Sequence, residues 1–516
     1  MMLAALPLPA FPSPSPAFPS GSPAPAAKPI TGPWPSAFPA KELCSNCGLC
    51  LSSVGVRHVK EACAFIGPGM SRAESLEHAV HGRSRRYDPS GEGDLSEAHF
   101  GVHEEIVYAR GVGIDGAQWT GVTTAVALAW LEAGKVDAVV VAAGGAEGDG
   151  FAAPAPLLCR TAAEVLRGRR VKPSLCPSLA VLDEVAADEG IKRLLFCGVG
   201  CAVQALRSVG ARDGQTPEEA LRLEELFVLG THCVDNSPTP QRALAFVASL
   251  PSVGEARARD VLAYEFMADF RVHARVATAG GGEETVKDAY MTLPPSIGVP
   301  SIADSCYSCF DYTNGLADLV VGYMGAPFER DSEMTSAPLM VTVRNERGRR
   351  MLGHAVAAGR VEVLRRGGKG GVGLLSEGDR TKITAATFKK DSLVQTLTNP
   401  AYVAGDQGAP PLVGDILARL IARTLPRGME FARYSIDYHY LRNLLFVEDR
   451  LGAERAAEHV PQYAKAIMAR YEDEVRSVRG GGAPPASREF DGKRLAQGFQ
   501  QWLGQFARGI SSMLSQ

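Results

Sequence analysis

No run of eighteen or more apolar residues occurs anywhere in the 516-residue sequence, so a membrane-crossing helix is not expected. Net charge is also scarce: 54 basic and 57 acidic side chains leave a formal charge of -3, which gives no reason to expect nucleic acid as a partner. Acidic residues are missing before Glu42. A nucleotide-hydrolysing loop is missing too. KGGVG at Lys369–Gly373 has the glycines of a phosphate loop, but Leu374 and Leu375 stand where lysine and a hydroxyl residue are required. GVGIDG at Gly111–Gly116 matches G-x-G-x-x-G, but the stretch before it (HEEIVYAR) reads as charged and helix-like. No clear acidic ribose-binding residue follows at the right distance, so a nicotinamide site is not expected either.

What is present begins with a proline-rich leader. Residues 1–40 hold twelve of the 34 prolines, much Ala and Ser, no Arg, and Lys28 as the one base. Such a segment cannot build a core. Acid-free and hydroxyl-containing, it reads as a plastid transit peptide, with a cleavage point between about 27 and about 41. A plain disordered tail is the alternative. The expected location is the chloroplast, in the stroma or at the thylakoid.

The rest has ordinary globular composition: 46% hydrophobic and 22% charged residues. Trp119 to Leu131 reads as a mostly buried helix. Short β-branched or apolar runs at Asp137–Ala143, Arg193–Cys197, Leu226–Leu229 and Leu319–Val321 read as parallel strands, several followed by glycine loops. The fold class expected is α/β and multi-domain. An N-terminal cysteine-rich segment spans 41–110, a parallel-sheet core 111–425, a helical region 426–479, and a flexible linker with a terminal helix 480–516. In that last part Leu495, Phe499, Trp502, Leu503, Phe506, Ile510 and Leu514 share one helical face. Packing back on the body is the favoured reading; contact with a membrane or partner is the other.

The cysteines carry the chemistry. There are eleven, an odd number, in tight clusters, and this points to metal ligands in a reducing compartment rather than to disulfides. Cys44, Cys47 and Cys50 form C-x2-C-x2-C, which lets one tight loop reach three corners of a cubane cluster. No Cys-Pro follows, so Cys63 is the expected fourth ligand. Zinc is the runner-up, although zinc sites usually pair two C-x2-C knuckles. A second set comprises Cys201, Cys233, Cys306 and Cys309. Two of these follow predicted strands, and loops at the carboxyl ends of parallel strands converge in space. On spacing alone, Cys201 and Cys233 are equally well read as buried structural cysteines. Cys159, Cys176 and Cys197 have no matching partners.

Two clusters would carry only single electrons, so a two-electron reaction needs a converter, usually flavin. Gln118, Thr120, Gly121 and Thr123, around the start of the predicted helix, are candidate anchors. Arg344, Asn345, Glu346 and Arg347 form a dense donor set after the strand VTV; a solvated charged turn is the alternative reading there.

Taken together, CSNCGLC, HVKEACAF, FGVHEE, GAQWTG, LLFCGVGCAVQALR, VLGTHCVDN, YEFMADFRVH, SCYSCFDYTNGLADLVVGYMGAP, VTVRNERG and FARYSIDYHYLRN resemble the beta subunit of the deazaflavin-reducing hydrogenases and its plant and cyanobacterial relatives. The likeness runs from about residue 41 to about 473. It implies FAD, near GAQWTG and VRNERG, and two 4Fe–4S clusters: one on Cys44, Cys47, Cys50 and Cys63, the other on Cys201, Cys233, Cys306 and Cys309. It implies reduced ferredoxin as electron donor and a chlorophyll-type macrocycle as substrate, reduced at a 7-hydroxymethyl group. An 8-vinyl group, or a non-catalytic electron-transfer role, is the alternative. A homo-oligomer, a trimer among relatives, and peripheral thylakoid contact are further expectations. The sequence departs from the family pattern at GCAVQ, in the glycine-rich insertion around Lys369, and in the terminal linker and helix; none of these removes a proposed ligand. Loss of a hydroxyl as water calls for a proton donor, for which His103, Asp311 and Tyr323 are candidates beside the plainer reading of each as structural.

Overall fold

The computed structural model describes residues 28–144, 151–327, 334–366 and 377–480. The leader up to residue 27, the glycine-rich loop at 367–373 and the amphipathic segment 495–514 lie outside the described residues.

Eleven strands form two sheets. The larger has β1 (Glu105–Gly111), β2 (Ala138–Gly144), β3 (Pro154–Cys159), β4 (Arg193–Gly198), β5 (Glu225–Thr231), β9 (Leu319–Gly322), β10 (Leu339–Val343) and β11 (Val361–Arg366), in the order β11-β1-β10-β9-β5-β4-β2-β3. The smaller is an antiparallel meander of β6 (Val261–Phe266), β7 (Arg271–Ala277) and β8 (Glu283–Ala289). Five helices matter to the site: α1 (Arg72–His81), α2 (Val122–Glu132), α3 (Gly200–Arg207), α4 (Glu346–Ala357) and α5 (Met429–Leu451). No helix among the described residues is long and apolar enough to cross a membrane.

The four predicted runs do form a parallel block, β2-β4-β5-β9. The large sheet is nevertheless mixed rather than parallel throughout, because β3 closes one side antiparallel and β10, β1 and β11 extend the other antiparallel. Leu226–Leu229 are buried on both faces, as a strand inside a layered sheet must be. The stretch read as helix-like before GVGIDG is strand β1. Ile106–Ala109 are all buried between β10 and β11, and the charge that suggests a helix sits on the rim, where Arg110 Nε donates to Glu362 at 2.7 Å. Helix α2 starts three residues later than expected. Gly121 stands at its N-cap with φ +78°, where a Cβ would come within 2.9 Å of Ile114.

Distant parts of the chain share one core. Phe65 and Met70 of the cysteine-rich segment pack with Phe310 and Tyr312 near the C-x-x-C, and with Tyr440 and Tyr463 of the C-terminal helices. Residues beyond position 27 join this body: Ile30 N–H bonds to Cys50 O at 2.8 Å, and Phe38 is buried. Helix α5 clamps the C-x-x-C turn. Asn443 Nδ2 donates to Cys306 O at 3.0 Å and Cys309 O at 2.8 Å, and Arg442 forms a two-pronged pair with Asp235, 2.9 Å on each arm.

Candidate redox site

The loop carrying Cys44, Cys47 and Cys50 is wound tightly by left-handed backbone at Asn46 (φ 48°) and Gly48 (φ 91°). A side chain at Gly48 would strike Pro177 O at 2.5 Å, so the loop lies directly on its neighbour. Cys63 closes the group from the end of the short helix Val59–Ala62. Neighbouring thiols raise one another's pKa: after burial, Cys63 and Cys44 push up Cys50, which reaches about 12. Burial likewise raises Cys47, with Cys63, Cys201 and Cys44 adding to it.

The second group is assembled by the fold. Cys201 lies in the first turn of α3, Cys233 follows β5, and Cys306 and Cys309 sit on the turn held by α5. Burial raises Cys201 to about 11 and Cys306 to about 12, and Cys201 adds to the shifts of Cys233, Cys306 and Cys309. Donors already point at the sulfurs. Asn236 gives its backbone N–H to Cys306 Sγ at 3.3 Å and its side-chain amide to Cys233 Sγ at 3.0 Å. Asp311 N–H reaches Cys309 Sγ at 3.4 Å, and Asn46 N–H reaches Cys44 Sγ at 3.3 Å in the first group. Thiols pushed up by burial stay protonated, and donors aimed at sulfur favour thiolate, so both groups fit a cationic core that would replace the protons. Ser45 and Cys47 of the first loop line one cavity together with Cys201, Cys233, Cys306 and Cys309, so the two groups lie side by side.

All four cysteines of the second group line a cavity of about 310 Å³. The loop into α2 lines the same cavity with Gln118, Trp119, Gly121 and Thr123. The α2 N-terminus has no side-chain cap, so its first N–H groups remain available at the cavity. Arg170 and Lys172 add positive groups, with Lys172 pushed down to about 7 by burial and by Arg170. Ser174 Oγ and both ring nitrogens of His232 are buried at this cavity without hydrogen-bond partners, as is the nearby Thr120 Oγ1. Uncapped N–H groups, the Arg170 guanidinium beside its partner Glu283, the Lys172 amine and orphaned polar atoms beside an apolar lining suit a dinucleotide such as FAD. Gln118 is occupied by the protein itself: its amide donates to Tyr264 O and Glu265 Oε2, both at 3.2 Å, and its oxygen accepts Val171 N–H at 3.0 Å.

Of the candidate proton donors, Asp311 and Tyr323 line the cavity and His103 does not. His103 Nδ1 is bonded to Gly101 O at 2.9 Å, and burial lowers its pKa. Asp311 accepts Gly315 N–H at 2.8 Å, leaves Oδ2 buried without a partner, and is raised by burial. Tyr323 stacks on Trp119, 5.1 Å between centroids at 12°, and burial raises it well above an ordinary phenol.

The second anchor set is not brought to the cavity. Arg344 is buried and donates to Phe100 O, Val102 O and Thr313 O, each at 2.7 Å. Asn345 caps α4 by accepting Gly348 N–H at 3.1 Å, Glu346 pairs with Arg349, and Arg347 pairs with Glu218. The polar density that suggests a ligand site instead ties the end of β10 to the N-terminal segment and to neighbouring helices. Sequence reading missed Glu265, which lines the cavity and is pushed up to about 8 by burial. The carboxylate inside the aromatic run YEF was its one signal.

Residues 107–183 match the N-terminal region, and residues 191–366 the C-terminal region, of the coenzyme F420 hydrogenase/dehydrogenase beta subunit. The chain is 46% identical over 440 residues to 7-hydroxymethyl chlorophyll a reductase, chloroplastic, of Oryza sativa subsp. japonica, covering 85% of this chain and 84% of that protein. It is 38% identical over 447 residues to an uncharacterized protein of Nostoc sp., covering 84% and 95%. Coenzyme F420 hydrogenase subunit beta of Methanosarcina barkeri is 28% identical over 279 residues, covering 52% and 84%. A solved F420-reducing hydrogenase complex from that organism superimposes with a TM-score of 0.42 at 23% identity, over 51% of this chain and 82% of that one. The chain therefore belongs to the oxidoreductase family that contains rice 7-hydroxymethyl chlorophyll a reductase and the beta subunits of coenzyme F420 hydrogenases.

Proposed function

We propose that the protein is a chloroplast, ferredoxin-dependent reductase that converts 7-hydroxymethyl chlorophyll a to chlorophyll a. The observation that carries the reading is 46% identity to the rice reductase over 440 residues, 85% of this chain and 84% of that protein. When bound, two 4Fe–4S clusters would carry electrons singly and FAD would pair them for a two-electron transfer. Cys44, Cys47, Cys50 and Cys63 would hold the outer cluster; Cys201, Cys233, Cys306 and Cys309 the inner one. The C-x2-C-x2-C spacing of Cys44, Cys47 and Cys50 favours a polynuclear cluster over zinc, whose sites usually pair two C-x2-C knuckles. The α2 N-terminus, Thr120, Arg170 and Lys172 would hold the pyrophosphate of FAD.

The chain's own contributions follow from the geometry. Asn236 and the amides of Asn46 and Asp311 stabilise charge on the sulfurs and tune their potentials. The apolar lining excludes water from the space between the inner cysteines and the Trp119–Tyr323 stack and offers a flat surface to a macrocycle. Tyr323 and Asp311 are groups of the wall that can exchange protons with a bound substrate. Leu412, Val413 and Ile416, exposed on the helix Pro411–Thr424, supply an apolar face for the expected homo-oligomer. The test is separation of pigments after anaerobic incubation with each of two substrates. Conversion of the 7-hydroxymethyl pigment supports the reading; conversion of only an 8-vinyl pigment replaces it.

A further inference from the structure

We propose that Glu265 is the acid that protonates the departing oxygen of the substrate's hydroxymethyl group. This rests on the functional reading above.

Glu265 lies near the end of β6, on the wall of the same cavity that the inner cysteines and the Trp119–Tyr323 stack define. Gln118 Nε2 holds its Oε2 at 3.2 Å, and Gln118 is itself fixed from both ends by Tyr264 O and Val171 N–H. The Trp119 side chain and the Phe266 amide stand beside the carboxyl and favour its ionised form less than burial disfavours it. The groups whose charge Glu265 meets are phenols: Tyr264 on its own strand, Tyr290 after β8 and Tyr323 after β9, all raised by burial. Of the basic groups on the same cavity, Arg170 is paired with Glu283 and Lys172 donates to Arg170 O at 3.0 Å. His273, its cross-strand neighbour, is paired with Asp269 at 2.8 Å. Among the described residues no ion pair involves Glu265, so no cation holds the carboxyl ionised.

A carboxyl that keeps its proton to about pH 8 is protonated at neutral pH and still a far stronger acid than the raised Tyr323 phenol. Asp311 bonds to Gly315 and sits two residues from Cys309, which places it on the inner cysteine group. In the step, the C–O bond breaks and the oxygen leaves as water with the Glu265 proton. The carbon takes two electrons, which the reduced external iron–sulfur donor delivers to the protein singly, and a proton from solvent, and becomes a methyl group. The Glu265 carboxylate then regains a proton from solvent.

The test uses the full-chain holoprotein and its Glu265→Gln and Glu265→Asp variants, with flavin and iron measured for each. The Gln variant should keep both contents and the parent KM, and lose about 10²–10⁴-fold in kcat. Parent kcat should fall as pH rises through about 8, and the residual activity of the Gln variant should lack that limb. The Asp variant should recover part of the rate. Infrared difference spectra between neutral and alkaline pH should show a protonated-carboxyl band in the parent that the Gln variant lacks. Near-parental kcat in the Gln variant, loss of flavin, or no such band in the parent overturns the assignment. Inactivity of the parent on the hydroxymethyl pigment is a distinct failure: it defeats the functional reading and takes the assignment with it.

Discussion

Replacing Arg344 separates a ligand site from a structural strut. The guanidinium is buried and spans three carbonyls, Phe100 O, Val102 O and Thr313 O, each at 2.7 Å, while its Nε has no partner. Burial lowers it to about 10, so it remains charged at neutral pH. Arg344→Met keeps most of the volume and strands three buried acceptors. A hydrogen bond from a charged donor is worth about 1.5–3 kcal/mol, and relief of the buried charge offsets part of the loss. The net is about 3–5 kcal/mol, as for breaking other buried charged networks. For 516 residues the unfolding entropy is about 1 kcal/mol per degree, so the melting temperature should fall by about 3–5 °C. Arg344→Lys keeps the charge but cannot span three acceptors, and should fall between the two. Circular dichroism melts give the stability; flavin released from protein held well below the transition gives the occupancy. The strut account expects lower stability with undiminished flavin. Flavin loss with an unchanged melting temperature would refute it and return the segment to the flavin site.

Further outcomes follow from the same contacts. Cys47→Ser and Cys201→Ser should each reduce iron from about eight to about four atoms per chain, with different paramagnetic signals remaining after reduction. Asn236→Ala removes the 3.0 Å side-chain bond to Cys233 and keeps the backbone bond to Cys306. Losing about 1 kcal/mol of preference for the reduced cluster lowers the potential by about 40 mV in a redox titration. His81 and His459 are held neutral by burial, at about 3 and about 4. The unfolded chain takes up protons below about pH 6.5 and the folded one does not, so stability is complete above about 6.5 and is lost as pH falls toward 4. Denaturant titrations at pH 7 and 5 should differ by at most about 2 kcal/mol per histidine, and the His459→Gln protein should show a smaller difference.

The parallel block was legible because β2, β4, β5 and β9 are short, β-branched or apolar runs buried on both faces. Strand β1 was not, since Glu104, Glu105 and Arg110 at its ends mask the four buried residues between them. The first cysteine group shows in local spacing. The second needed the resemblance, because 108 positions separate Cys201 from Cys309 and only the convergence of β4, β5 and the C-x-x-C turn unites them. GAQWTG lies on the cavity wall at an uncapped helix start, where Gly121 is visible in the sequence. VRNERG misled because a buried guanidinium that satisfies carbonyls reads, in sequence, like one that awaits a ligand. Glu265 left one faint mark, a carboxylate inside YEF, because its raised proton affinity comes from desolvation, which no single residue letter records.

The central claim is most directly tested by anaerobic turnover of 7-hydroxymethyl chlorophyll a with chemically reduced ferredoxin and chain shown to carry FAD and about eight irons, the content of two 4Fe–4S clusters. Chromatography should resolve chlorophyll a as the product, formed with two electrons consumed per pigment. An iron- and flavin-loaded protein that leaves this pigment unchanged would contradict the account.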